Sequence, residues 1–221
     1  TKTDQTVLLI LQSRIEVMHN ENREVPFLKG HGAGNDFVVI DATKGGLNPS
    51  EKSVEVLCDR RKCIGGDGVL RIAPATEFGT ADAKYFMDYR NADGSLGMTC
   101  GNGLRVVARF LVEKGYESTG SFTIGTRAGT VTAHVSPEDK NFENIAINMG
   151  KFNPTSDEIT VSTETGSWPA SAINAPNPHA VSIVNNIWDA GSLSDYPSVT
   201  PNLTFPDGVN FEFVEPKSPT H

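Results

Sequence analysis

The chain has 221 residues, enough for one complete average domain and part of a second. Hydrophobic residues make up 38% and charged residues 21%, with 21 glycines and 13 prolines, a balance that fits a folded, strand- and loop-rich protein and excludes a disordered one. With 19 basic against 27 acidic residues the net charge is −8, and without a Lys/Arg block the chain lacks the cation cluster that nucleic acid binding needs.

The early apolar run Val7–Leu11 is too short for a signal-peptide core or a membrane span. Three cysteines cannot form a fully paired disulfide set, which points to a cytoplasmic chain with reduced thiols and no membrane partner. Residues 1–24 read as an N-terminal appendage, with Val7–Val17 apolar then polar in a way that suits a helix. A strand follows at Phe37–Ile40. Asn48-Pro49-Ser50-Glu51 then supplies an N-cap, a proline at the first helical position and a reach-back glutamate. Behind it Val54, Leu57 and Cys58 recur at helical spacing. Gly65–Gly68 is a turn before the strand Val69–Ala73, and the strand Tyr85–Tyr89 feeds a turn at Asn91–Gly94.

From Cys100 a second helix is predicted, because Leu104, Val107, Ala108 and Leu111 stand at i, i+3, i+4 and i+7. Val106, Phe110 and Val112 fill its other faces, which predicts a buried helix, and Gly115 is placed to end it. Short strands follow at Phe122–Ile124, Val131–Val135, Ile145–Met149, Val181–Val184 and Val209–Val214. This texture divides the chain into the appendage 1–24, a lobe of strands around the buried helix at 25–127, and a partial second lobe at 128–221.

Cys100 carries the chemistry. A thiol at a helix start faces unpaired N–H groups and the positive end of the helix dipole, which predicts a lowered pKa and a reactive thiolate. Gly101 and Gly103 let backbone approach a ligand, Asn102 adds an amide, and the same N–H cluster suits a carboxylate. A small buried core cysteine is the alternative, but it would need neither the two glycines nor the asparagine.

Tyr89–Arg109 resembles the first cysteine motif of the diaminopimelate epimerase family, the pyridoxal-independent racemases of lysine and cell-wall biosynthesis. Further stretches resemble that family in the same order. They are Gly30-His31-Gly32-Ala33-Gly34-Asn35-Asp36-Phe37, Asp59-Arg60-Arg61 through Gly65-Gly66-Asp67-Gly68, Gly125-Thr126-Arg127-Ala128-Gly129, Asn177-Pro178-His179 and Asp207-Gly208-Val209-Asn210. Together they span about residues 26–214.

The resemblance implies an α+β fold of two similar lobes, each a strand barrel around a central helix, with the active site in the cleft between them. It implies interconversion of LL- and meso-2,6-diaminopimelate without a cofactor or metal: one cysteine removes the α-proton and another returns one on the opposite face. Cys100 would be one of the pair, with His179 tuning the thiol. Asn35, Asn91, Gly101, Asn102, Asn177 and Asn210 would bind the small-molecule substrate, since amides can serve both carboxylate and ammonium ends. A homodimer is compatible with the resemblance.

Departures from the family pattern bear on activity. The family's second cysteine follows the Asp-Gly-Val-Asn motif in a Gly-Glu-Thr…Cys-Gly-Thr-Gly stretch, and the 221 residues stop before it, leaving the second lobe without its helix and the chain as given without expected turnover. Gly97-Met98-Thr99 replaces the usual Ala-Glu-Met, Ala175-Pro176 replaces Met-Gly, and Gly68 stands where some relatives use glutamine. Two other readings stay open: a related cofactor-independent isomerase of another small acid, and a non-catalytic ligand-binding descendant. Elsewhere, Gly30–Gly34 runs into a strand instead of opening a helix, unlike a nucleotide loop. Cys58 and Cys63 lack two further ligands for zinc. Arg105 and Arg109, four apart, are expected to pair with neighbouring acids.

Overall fold

In a computed structural model the described residues are 7–16, 24–175, 177–205 and 208–218, and the chain divides into two units, Thr1–Met149 and Gly150–His221. The first unit contains β1 (Val7–Glu16), β2 (Glu24–Gly32), β3 (Asn35–Asp41), α1 (Glu51–Cys58), β4 (Gly68–Pro74), β5 (Tyr85–Asn91), α2 (Gly101–Glu113), β6 (Gly120–Thr126), β7 (Gly129–Val135) and β8 (Ile145–Asn148). Its eight strands form one sheet in sequence order. Neighbours pair antiparallel except β3 with β4 and β5 with β6, and those two parallel pairs are the ones joined through an α-helix. A parallel pair needs such a crossover.

The predicted buried helix is α2. Leu104, Val106, Val107, Ala108, Phe110 and Leu111 are all fully buried. The helix packs against β1, β2, β3, β4, β5, β7 and β8, so the sheet curls around it. Gly115, at φ 70°, follows its C-cap in the left-handed conformation. β3 shows how one strand serves both faces: Phe37 and Val39 join the core around α2, while Val38 and Ile40 pack with Val54, Leu57 and Cys58 of α1. A strand covered on both sides reads as an unbroken apolar run, as Phe37–Ile40 does.

Three expectations change. Val7–Glu16 is a strand, not a helix: β2 would otherwise be the sheet's edge, and pairing along it satisfies backbone groups of both segments. The rest of the expected appendage, residues 1–6 and 17–23, lies outside the described residues. The cap of α1 is Ser50, whose side chain accepts the Ser53 N–H at 3.2 Å. Asn48 and Pro49 stand before the helix, and their oxygens accept from the Arg90 guanidinium. Finally, the first unit runs to Met149 rather than ending at 127. β7 closes a tight hairpin with β6 and β8 pairs with β7, so both strands extend the first sheet.

The second unit holds β9 (Asn153–Ser162), β10 (Ser167–Ala175), β11 (Asn177–Ile183), β12 (Ser198–Thr200) and β13 (Asn210–Val214). They form a sheet in the order β12-β9-β10-β11-β13, with β11 and β13 parallel. Its core is small, centred on Ile159, Val161, Ala172 and Ala180, with Phe211 and Phe213 half-buried against it. No α-helix occurs among the described residues of this unit. No helix among the described residues of the chain is long and apolar enough to cross a membrane.

Candidate active site

Cys100 is the N-cap of α2, at φ −152° and ψ 114°. Its sulfur accepts the Gly103 N–H at 3.4 Å, and its S–H is directed at Asn35 Oδ1, 3.7 Å away. Asn35 is delivered by the β2–β3 hairpin, whose two turn residues, Ala33 and Gly34, both have positive φ, as a type I′ turn requires. The hairpin sits tightly on the first turn of α2, since a Cβ at Gly32 would lie 2.8 Å from the Asn102 carbonyl oxygen. Backbone contact thus sets the approach of Asn35 to Cys100.

The expected lowering of the Cys100 pKa is reversed. Burial pushes the thiol up, and it outweighs the N–H groups of Gly103 and Asn102 and the charge of Arg105, which favour the thiolate. Helix position alone predicts the opposite direction, because the sheet that buries the helix start is not visible in the local sequence. Cys58, buried at the end of α1, is pushed up further, to about 11.

Around the thiol the first-unit candidates divide in role. Gly101 and Asn102 form the first turn of α2, and Asn102 Oδ1 accepts from Arg105 Nη2 at 2.6 Å. Arg105 therefore pairs with an amide, not with the acid expected of it, whereas Arg109 does meet Glu113 at 2.7 Å. Asn91 ends β5 opposite Gly68 and donates through Nδ2 to Ser95 Oγ at 2.9 Å, which commits that donor to its own turn. A side chain at position 68 would run into the Arg90 carbonyl and come within 2.8 Å of the Tyr89 ring, so this packing excludes a glutamine there. The other candidates, Asn177, His179 and Asn210, belong to the second unit. His179 and Asn210 are register partners on β11 and β13, and His179 Nδ1 donates to the Asn177 carbonyl at 2.7 Å. Pro176 and Asp207 lie outside the described residues.

Four charged residues with no role assigned from sequence hold this arrangement. Asp67 accepts from Asn35 Nδ2 at 2.8 Å and from Arg60 Nη2 at 2.8 Å. Arg127 donates to the carbonyls of Tyr89, at 2.9 Å, and Gly97, at 3.1 Å, and pairs with the buried Asp88, tying down the segment that leads into Cys100. Arg60, Asp67 and Arg127 all stand in motifs that resemble the family. Their signal was charge inside glycine-rich turns.

A profile of the diaminopimelate epimerase family matches residues 27–154. Over 202 residues the chain is 41% identical to the diaminopimelate epimerase of Streptomyces coelicolor, an overlap of 89% of this chain and 68% of that protein. The chain belongs to the diaminopimelate epimerase family. The Corynebacterium glutamicum diaminopimelate epimerase is 37% identical over 199 residues, with 87% of this chain and 71% of that protein covered. In fold, this diaminopimelate epimerase-family chain is similar to crystal structures of a probable proline racemase from Agrobacterium radiobacter, with a TM-score of 0.58, and a hydroxyproline epimerase from Agrobacterium vitis, with 0.56. Each is 18% identical, and the chain, matched over 72% of its residues, spans 51% of the length of either. Membership makes this an isomerase-family chain with the α+β fold expected from its sequence.

Proposed function

We propose that the chain acts on 2,6-diaminopimelate by cysteine acid/base chemistry, with Cys100 as one proton-transfer group, in the cytoplasmic route to lysine and peptidoglycan. The observation that carries this reading is the Cys100 thiol, held as the N-cap of α2 between a backbone donor and an amide carbonyl. As an acid the thiol gives its proton to the substrate α-carbon, and the resulting thiolate is met by N–H groups already in place. As a base the thiolate takes the α-proton and becomes the thiol again. Asn35, Asn91, Gly101, Asn102, Asn177 and Asn210 are the substrate-binding residues on this reading, since amides can serve both the carboxylate and the ammonium groups of an amino-acid end. His179, whose ring is oriented by donation from Nδ1 to the Asn177 carbonyl, is the residue that tunes the cysteine on this reading.

Inversion needs an acid on the face opposite the base, and neither other cysteine suits that role. Cys58 and Cys63 pack with the α1 cluster, away from the helix mouth that holds Cys100. The 221-residue chain is therefore expected to exchange an α-proton without inverting the carbon. The test is incubation with LL- or meso-diaminopimelate in deuterium oxide, read by mass spectrometry and chiral separation. Deuterium entering one stereoisomer, and lost in Cys100→Ala, is the expected result. Exchange that persists in Cys100→Ala overturns the role of Cys100. Absence of exchange, together with failure of diaminopimelate to protect Cys100 from alkylation, overturns the substrate.

A further inference from the structure

The Cys100 thiol is aimed by more than its own helix. Its S–H faces Asn35 Oδ1, and Asn35 is gripped from the other side, where Nδ2 donates to Asp67 Oδ2 at 2.8 Å. A carboxylate only accepts hydrogen bonds, so the end of the Asn35 amide that meets Asp67 has to be the NH2 group. The carbonyl end then turns to the sulfur. Asp67 is itself fixed: Oδ2 also accepts the Asp36 N–H at 3.0 Å, Oδ1 takes Arg60 Nη2 at 2.8 Å, and the Asp67 N–H donates to the Asp36 carbonyl at 2.7 Å. Arg60 is anchored in turn by both carboxylate oxygens of Asp36.

We propose that Asp67 is a positioning residue for Cys100: it orients the Asn35 amide so that a carbonyl oxygen, and not an NH2 group, faces the sulfur, and Arg60 holds Asp67 in that position. This rests on the reading of Cys100 as an acid/base group. An oxygen facing sulfur favours S–H, whereas an NH2 group would favour S−. Asp67 therefore keeps Cys100 in its acid form through Asn35. Asp67 also acts on the sulfur directly by its charge, against Arg105 on α2, while Tyr89 on β5 is the further titratable group that feels the thiolate. The direct and relayed effects share a sign, so the test has to separate them.

A double-mutant cycle does so. The pH midpoint of Cys100 alkylation is read by peptide mass spectrometry, with Cys63 in the same molecule as internal reference. Asp67 is exposed, so its replacement empties no core site. Asp67→Ala is expected to lower the Cys100 midpoint by about one unit, roughly tenfold more thiolate at a given pH below it. In the Asn35→Ala background the same change is expected to give less than about threefold, since the relay is already gone. Equal shifts in the two backgrounds, or no shift in either, overturn the positioning role and leave the isotope-exchange result untouched. Conversely, exchange that ignores Cys100 overturns the functional reading but not the shift. Should Asp67→Ala fail to fold, the Asn35 side-chain amide of the unaltered protein decides by nuclear magnetic resonance. A split, slowly exchanging NH2 pair is expected, and an averaged, fast-exchanging pair refutes the contact.

Discussion

Arg127→Ala tests whether the segment before Cys100 is held by the ion pair beneath it. Asp88 is 1% exposed and receives Arg127 through Nη2, Arg90 through Nη2 at 3.0 Å, and Arg71 at 3.7 Å. Removing one partner of an isolated buried pair costs about 3–5 kcal/mol. Here two guanidinium groups remain, so the carboxylate stays compensated and most of that penalty does not arise. The carbonyls fare differently. Tyr89 keeps the Gly97 N–H at 3.0 Å, whereas Gly97 loses a charged donor, worth about 1.5–3 kcal/mol. A total of about 2–3 kcal/mol follows, which corresponds to about 30- to 150-fold faster hydrogen exchange. Both tryptophans, Trp168 and Trp188, lie in the second unit, so fluorescence would not read this loss. Exchange at the β5 and β6 amides reads it directly. A loss below about 1 kcal/mol would show that Arg90 and Arg71 suffice and that Arg127 is not the tie.

Two other perturbations are informative. Cys100→Ser places a strong hydroxyl cap where a weak sulfur acceptor stands, and should stabilise α2 by about 0.5–1 kcal/mol in urea unfolding while abolishing isotope exchange; a destabilised variant would contradict the N-cap geometry. Acid should loosen the first unit through Asp36 and Asp88. Burial raises both carboxyls, but Arg60 and Lys29 at Asp36, and Arg90 and Arg127 at Asp88, reverse this and leave both below their ordinary values. A depressed folded pKa stabilises above the unfolded value of about 3.9, and that stability is lost as pH falls through the folded value. The melting temperature should therefore drop below about pH 4, and a flat profile from pH 5 to 2 would refute the assignment.

Legibility in the sequence follows the range of the interactions. The helix Gly101–Glu113 was readable because its apolar face is written at i, i+3, i+4 and i+7, and its cap is the residue before it. Val7–Glu16 was not, because its conformation is decided by pairing with β2 and its own apolar-then-polar pattern has no clear period. β10 was missed for another reason. In Ser167–Ala175 only Ala172 is buried, the other positions are half-buried or exposed, and alanine, serine and an internal proline give little apolar contrast. Asp67 sits in Gly65–Gly68, which was readable as a turn, yet it grips Asn35 from 32 positions away. A residue's partner at that distance is set by the topology of β3 and β4, which pair in parallel around α1.

The same distinction explains why Cys100 was found and its charge state was not. Local sequence shows a thiol at a helix mouth, where dipole and N–H groups favour the anion. The fold adds burial, which favours the neutral form and prevails. These influences act through different partners: Gly103 N–H serves the sulfur as an acceptor, and Asn35 Oδ1 serves it as a donor. Each protonation state thus has a partner already in position, so neither direction of proton transfer requires the surroundings to reorganise. A nucleophile held permanently as thiolate would gain nothing from Asn35 in this orientation, whereas a group that alternates between acid and base requires both contacts. On the proposed reading of Cys100, the geometry of Asn35, more than the presence of a cysteine, is what favours proton transfer over covalent catalysis.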